Sequence, residues 1–362
     1  MSEIPMTPPR ELDQASIDAF ADRMSEVLND GALALMISIG HRTGLFDTLA
    51  TLPPSTSQTI ADAAGLNERY VREWLGAMVT GKIVEYDAGT GTYRLPPEHA
   101  ASLTRSSTPD NFASYMQYVS MLGTVEDGIV EAFRHGGGVP YSAFPRFQEV
   151  MAEDGGQNTV SALREHILPL VPGLEADLER GIAVLDLGCG QGGALQAMAQ
   201  LFPNSRFTGY DFSEEGIAAA NSRAHDLALA NLRFALQDAA MLDEQARYDL
   251  IFTFDAIHDQ AQPARVLRNI AAALRPDGVY LMQDIRASSY LENNLDHPAG
   301  PFLYTVSCMH CMTVSLALDG AGLGAMWGEE TARQMLEEAG FTDITIHHLA
   351  HDVQNSYYIA RK

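Results

Sequence analysis

The chain has 362 residues, 46% of them hydrophobic and 19% charged, enough to bury a sizeable core in two domains of ordinary globular composition. Its formal net charge of −24 repels phosphate backbones and anionic lipid headgroups, so nucleic acid and membrane surfaces are unfavourable partners. Three cysteines, Cys189, Cys308 and Cys311, are too few for a disulfide framework and fit a reducing, cytoplasmic setting.

The first stretch, "MSEIPMTPPRELDQ" (1–14), is polar and proline-bearing and predicts a flexible tail. It lacks the basic and apolar regions of a signal peptide. Two helices are expected next, over 16–29 and 32–43, with Asp30-Gly31 as the turn between them. The second is apolar nearly all round, the pattern of a helix buried in its own core or against a second subunit. Its apolar run, 31–40, is far short of a membrane span. In 57–95 a short helix ends at Gly65, Asn67 caps a second helix from Glu68 to Thr80, and "KIVEY" and "TYRL" form a β-hairpin. Helix, turn, helix and hairpin make a winged helix. A DNA reader needs a basic second helix, and this one carries Glu68, Arg69, Arg72 and Glu73, which cancel. Residues 11–105 hold 7 Lys/Arg against 13 Asp/Glu, a net of −6. Residues 15–105 therefore read as a helical and winged-helix-like packing or dimerisation domain.

Residues 106–165 predict a helical connector that roofs a pocket, broken by "HGGGVPY" (135–141). The glycines there suggest a hinge or a close approach, and Tyr141 is a candidate substrate contact. Residues 166–362 then alternate strand and helix. "AVLDLG", "RFTGYD", "LRFALQD", "YDLIFTFD" and "GVYLMQD" are strands, and "ALQAMAQLF", "GIAAANSRAHDLA" and "ARVLRNIAAAL" are helices between them. This alternation implies an α/β, Rossmann-like, doubly wound parallel sheet with right-handed crossovers. "FTDITIHHL" and "NSYYIARK" close the chain as an antiparallel hairpin, because no crossover element separates them. Residues 286–328 are too long for a plain connection and read as a lid insertion. Its apolar segment "PFLYTVSCMHCMTVSLAL" contributes Tyr304 and His310 as further substrate contacts. Cys308 and Cys311 have the spacing of a metal or redox pair, but zinc needs about four ligands and no second pair exists. They read as buried, inert thiols, and no metal is expected.

The run "GCGQGG" (188–193) matches the G-x-G-x-x-G turn that seats a pyrophosphate at a helix N-terminus. Asp186, two residues earlier, would repel a pyrophosphate but would help hold a cationic nucleoside such as S-adenosylmethionine (SAM). Asp211 ends the second strand, where an acid accepts from ribose hydroxyls of either nucleoside. Asp238 ends the third, where a carboxylate can accept from an adenine amino group.

With "GYDFS", "LQDA", "FDAIHD" and "LRPDG" at this spacing, "VLDLGCGQGG" resembles the class I SAM-dependent methyltransferases. The resemblance implies a seven-stranded sheet ending in a reversed strand. It also implies a cofactor site in which Asp186 and Gly188 line the methionine end, Gly190 lies under the nucleoside and Asp211 holds the ribose. Phe212 would stack on adenine, Asp238 and Ala239 would meet its edge, and Phe254 and Asp255 would close the site. The phrases "GLFDTLA", "YVREWLGAMV" and "CMHCMTVSLA" are similar to bacterial methyltransferases with an N-terminal winged-helix-like domain. The plan also resembles the small-molecule O-methyltransferases, which implies a homodimer through the N-terminal domain.

Methyl transfer from a sulfonium needs an aligned nucleophile and, for a hydroxyl or thiol, a base. His258 follows the fourth strand at the ligand-bearing edge of the sheet. "IHDQ" resembles the "LHDW" segment whose histidine is the general base, with Gln260 in place of the tryptophan; a helix-capping or loop-anchoring role is the alternative. The family likeness implies a glutamate that orients the histidine, for which Glu329 or Glu330 is the candidate; acids at a helix N-terminus also need no other reason. The leading expectation is a methyltransferase acting on a small molecule, with an oxygen or sulfur acceptor favoured. The alternatives are a SAM-responsive winged-helix transcriptional regulator and an NAD-dependent oxidoreductase.

Overall fold

The structure, a computed structural model, describes residues 12–362, so most of the expected 1–14 tail lies outside the described residues. The chain divides into two compact units, one ending at Ser107 and the other spanning Thr108–Lys362.

The first unit opens with α1 (Gln14–Arg42), capped by Asp13, whose carboxylate accepts the Ala15 N–H at 3.2 Å. This helix runs through Asp30-Gly31 without a break, where the sequence predicts a turn between two helices. A glycine in a helix interior costs only about 1 kcal/mol relative to alanine, and the helix formers on both sides outweigh it. Burial is confined to the last turns, at Ala34, Ile37, Ser38, Gly40 and His41. Ile17, Phe20, Met24, Val27, Leu28, Leu35 and Ile39 recur at three- and four-residue spacing and are exposed, forming an apolar stripe along the helix.

After α2 (Leu45–Thr51) come α3 (Ser57–Ala64) and α4 (Glu68–Thr80), capped by Thr56 and Asn67, with Gly65 left-handed at the end of α3. The hairpin β1 (Glu85–Asp87) and β2 (Thr92–Arg94) is the wing, followed by the short α5 (Pro97–Ala100). Trp74 anchors this core; its indole N–H donates to Met36 O at 2.8 Å, and its ring meets Phe46 edge-on at 5.2 Å. On α4, Arg69 pairs with Glu73 at 2.5 Å and Arg72 with Glu68 at 3.3 Å, so both basic groups are spent within the helix.

The second unit begins with α6 (Phe112–Gly123), α7 (Glu126–His135), α8 (Phe147–Gly155) and α9 (Leu174–Arg180). The helices expected as a connector therefore pack as part of this unit. The sheet and its helices follow: β3 (Ala183–Leu187), α10 (Gly193–Leu201), β4 (Arg206–Asp211), α11 (Glu214–Asp226), β5 (Leu232–Leu236), β6 (Tyr248–Phe254), α12 (Pro263–Ala273) and β7 (Leu274–Ile285). The insertion holds α13 (Gly300–Val306) and α14 (Met312–Leu316), separated by a π-helical turn at Ser307–Cys311, and α15 (Gly328–Glu338), β8 (Asp343–His347) and β9 (Asn355–Arg361) complete the unit.

The 7-stranded sheet has the order β5-β4-β3-β6-β7-β9-β8. Strands β3 to β7 are parallel, and β9 runs antiparallel to both β7 and β8. The reversed strand is thus second from the edge, and β8 is the edge strand. The hairpin folds β9 back into the gap beside β7, which is why Asn355–Ala360 is buried throughout while β8 remains partly exposed. Alternate residues enter opposite faces. Val184, Leu250, Phe252 and Leu281 join one core, and Leu185, Ile251, Tyr280 and Met282 the other. The strand order reverses at β3, which opens the crevice where ligands bind in such sheets.

Gly192, at φ +73°, lets the turn after β3 pass beneath the Phe234 ring, which an added Cβ would overlap. We expect Gly192→Ala to lower the unfolding free energy by about 1–3 kcal/mol, as overpacking does. Urea unfolding measures this, and an unchanged midpoint would contradict the packing.

Candidate active site

The crevice holds a cavity of about 700 Å³ at the carboxyl ends of β3, β4 and β6, walled also by α8 and the segment after it. Asp186 and Gly188 at the end of β3, Gly190 in the turn, and Asp211 and Phe212 at the end of β4 all line it. The turn is tied to the neighbouring strand by backbone donors: Gly188 N–H reaches Tyr210 O at 2.8 Å, and Gly190 N–H reaches Asp211 Oδ2 at 2.8 Å. Asp211 Oδ1 accepts the Ser213 N–H at 2.8 Å. Burial raises the Asp211 carboxyl, against these amide donors, which favour its charged form.

Asp186 differs. Burial pushes its carboxyl well above the ordinary range, Asp211 adds to this, and no hydrogen bond from the described residues offsets it. An acid that faces a cavity and has no donor among the described residues fits a cationic ligand group. The donor set therefore suits SAM: an orphan acid for its ammonium, an amide-braced acid for its ribose, and an aromatic ring, Phe212, beside it.

On the third strand end, Ala239 lines the cavity but Asp238 does not. One oxygen of the Asp238 carboxylate accepts the Ala240 N–H at 2.8 Å and caps the short helical turn there, and Gln237 lines the cavity beside Ala239. Phe254 and Asp255 line the cavity as expected.

His258 is buried just behind this wall, with Asp255, Ala256, Asp259 and Gln260 lining the cavity around it. Its Nδ1 is 2.7 Å from Asp284 Oδ1 at the end of β7. That oxygen also accepts the indole N–H of Trp327 at 2.9 Å. Burial alone would favour a neutral ring, but the Asp284 carboxylate, with Cys311 alongside, holds the imidazole well above its ordinary value. Donor atoms of Asp255, His258 and Asp284 lie within 4.8 Å of one another.

The carboxylate that orients His258 is thus Asp284, not Glu329. Glu329 Oε1 is taken by Ser356 Oγ at 2.5 Å and His348 Nε2 at 2.6 Å, because β9 brings Ser356 beneath the start of α15. Glu330 is bound to Ser288 and Ser289. The placement of Asp284 was legible in principle: it ends a parallel strand, as Asp211 does.

Tyr141 lines the cavity, and its hydroxyl donates to Asp259, whose carboxyl burial pushes up to about 6 against the pull of His258 and Tyr141. Its ring meets Phe212 edge-on at 5.0 Å. The preceding glycines make a close approach: Gly138 lies so near the Thr313 carbonyl that no side chain fits, and Val139 N–H donates to Thr313 Oγ1 at 2.8 Å. His310 does not line the cavity. It stacks on Phe147 at 4.3 Å and backs Tyr141 at 5.2 Å, and burial, then the charge of His258, lowers it to about 3, so it is a neutral wall. Tyr304 is outside the cavity lining, its hydroxyl bonded by Asn294 at 3.2 Å. Cys189 lines the cavity as a partly buried thiol that desolvation pushes well up, and Cys308 and Cys311 are unbridged.

Residues 178–340 match the methyltransferase domain family, and residues 31–105 match the Rv2258c-like winged HTH domain. The chain is 29% identical over 161 residues to a malonyl-[acyl-carrier protein] O-methyltransferase of Bacillus cereus, covering 44% of this chain and 53% of that protein. It is 32% identical over 113 residues to a fatty-acid O-methyltransferase of Mycolicibacterium smegmatis, covering 31% of this chain and 40% of that one. The chain thus spans about half, or less, of the length of these relatives. Among solved structures, mitomycin 7-O-methyltransferase superposes with a TM-score of 0.70 at 18% identity, covering 97% of this chain and 100% of that one. Human N-acetylserotonin methyltransferase, solved in complex with SAM, superposes with a TM-score of 0.69 at 18% identity, covering 98% and 99%. These likenesses to solved structures show a shared fold. The chain accordingly carries a region that matches the Rv2258c-like winged HTH domain ahead of a region that matches the methyltransferase domain.

Proposed function

We propose that the protein transfers the methyl group of SAM to a small-molecule acceptor, with oxygen or sulfur as the favoured nucleophile. The observation that carries this reading is Asp186, a buried acid facing the cavity with no donor among the described residues. When bound, SAM supplies an electrophilic methyl on a sulfonium. The chain's own residues hold and align. Asp186 and the Gly188 backbone would seat the methionine end, Gly190 and Asp211 the ribose, and Phe212 the adenine face, with Gln237 and Ala239 at its edge. The cavity wall excludes water from the reacting atoms. His258, oriented by Asp284, is the proton acceptor in this reading, and the insertion 286–328 is its lid.

The paired arginines of α4 support a structural rather than a DNA-reading role for the winged domain. The exposed apolar stripe of α1 supports a homodimer formed through that helix. No helix of the described residues is long and apolar enough to cross a membrane, and the unbridged cysteines suit the cytoplasm.

Incubation with methyl-labelled SAM and a panel of phenols, thiols and amines tests the reaction; protein that ignores both SAM and S-adenosylhomocysteine in calorimetry refutes it. We expect His258→Ala to keep donor affinity and to slow turnover by at least roughly tenfold. Because the ring must be neutral to accept a proton and is held above its ordinary value, the rate should rise with pH through a midpoint above about 6.5. Asp284→Asn removes the charge that raises His258, so the same limb should move to lower pH while the rate falls; a limb that stays in place would clear Asp284 of this role. Phe20→Glu with Leu28→Glu should convert a dimer to a monomer in sedimentation, and an unchanged species would exclude α1 as the interface.

A further inference from the structure

Two acids at the ends of neighbouring parallel strands each keep one sealed oxygen without a donor. Asp284, at the end of β7, takes three donors on Oδ1: His258 Nδ1 at 2.7 Å, the Trp327 indole at 2.9 Å and the Ile285 N–H at 2.8 Å. Its Oδ2 is shielded from solvent and has no partner among the described residues. Asp255, just past β6, accepts Gln283 Nε2 at 3.1 Å on Oδ2, and its Oδ1 is shielded and unmet in the same way. Thr159 Oγ1 donates to Gln283 Oε1 at 3.1 Å, which fixes that amide with its NH2 toward Asp255. A carboxylate oxygen of Asp255, one of Asp284 and a ring nitrogen of His258 lie within 4.8 Å of one another. The titratable groups around Asp255 are Asp284, His258, Asp154 on α8 and Asp352 ahead of β9; of these, His258 alone can carry positive charge. Those around His258 are Asp284, Cys311, Asp259 and His310. Burial, then Asp284, pushes the Asp255 carboxyl well above its ordinary range.

We propose that Asp255 and Asp284 share one proton: Asp255 is a carboxylic acid whose O–H donates to Asp284 Oδ2, and it thereby acts as a positioning residue for the His258–Asp284 pair. One proton answers both unmet oxygens at once. A neutral donor would fill them and still leave two negative charges across a buried gap, which two close carboxylates do not sustain. The proton belongs to the pair, which titrates as one unit. The bond leaves Asp284 a single negative charge, turned through Oδ1 to the imidazole, and keeps a second full charge away from His258. An ionised Asp255 would hold the imidazolium harder and delay its loss of a proton. That consequence for His258 rests on the reaction proposed above; the shared proton does not.

The test is urea unfolding of the full chain from about pH 5 to about pH 8, wild type beside Asp255→Asn. The amide copies the shape, with its oxygen toward Gln283 and its NH2 toward Asp284 Oδ2, and needs no proton. The folded wild type holds a proton that the unfolded chain, whose aspartates titrate at about 3.9, has released, so rising pH works against it. Its folding equilibrium constant should fall roughly tenfold per pH unit relative to Asp255→Asn while the pair keeps its proton. Asp255→Ala needs no proton either and should give the same slope whatever its absolute stability. A ratio that is flat with pH in either comparison overturns the proposal, because two ionised acids have no proton left to lose. The rate profile is the second readout. Asp255→Ala takes a donor from Asp284, strengthens its hold on the imidazolium and should move the rise in rate to higher pH. A limb that stays in place, or moves to lower pH as loss of a charged Asp255 would make it, overturns the positioning role. Absence of methyl transfer to every acceptor refutes the reaction reading instead and leaves the unfolding slope to decide the proton.

Discussion

Negative charge is expensive to bury, and this sheet buries a great deal of it at one edge. Asp186, Asp211, Asp255 and Asp284 all stand where parallel strands end, and Asp259 follows within the same turn. Each must be met by something. Backbone amides meet Asp211, an imidazole and an indole meet Asp284, and a phenol meets Asp259. Among the described residues, Asp186 has no hydrogen-bond donor, and one oxygen each of Asp255 and Asp284 has none. The edge thus mixes carboxylate oxygens that the fold satisfies for itself with an acid, Asp186, that it leaves facing the cavity.

The sheet was legible because its signals are local. Strands alternate their side chains between two cores, helices repeat at their own period, and the turn glycines follow from backbone geometry. The caps of α3 and α4 were equally readable, since Thr56, Asn67 and Gly65 act within a few residues of themselves. The continuity of α1 was less so. Asp30-Gly31 carries a turn signature, and whether it bends the chain depends on the balance of about 1 kcal/mol against neighbouring helix formers.

The site was legible by type and only partly by partner. An acid at a strand end is visible in sequence; which side chain reaches it is set by tertiary packing. Asp284 meets His258 because β7 lies beside β6, and meets Trp327 because the insertion returns there. Glu329 was placed near His258 by a loose interval, and β9 claims it through Ser356 instead. Asp238 carries the right chemistry for an adenine edge and lends one oxygen to its own turn. His310 carries ligand-like chemistry and is instead a neutral ring in an aromatic wall.

The insertion between β7 and α15 touches both halves of this arrangement. Thr313 is stitched to the glycine run that ends in Tyr141, and Trp327 grips the oxygen of Asp284 that faces His258. One stretch of chain thereby shapes the chamber and sets the acidity of the imidazole behind it. Drift or engineering that reshapes this stretch for a new guest inherits a retuned proton acceptor, so guest preference and working pH evolve as a linked pair.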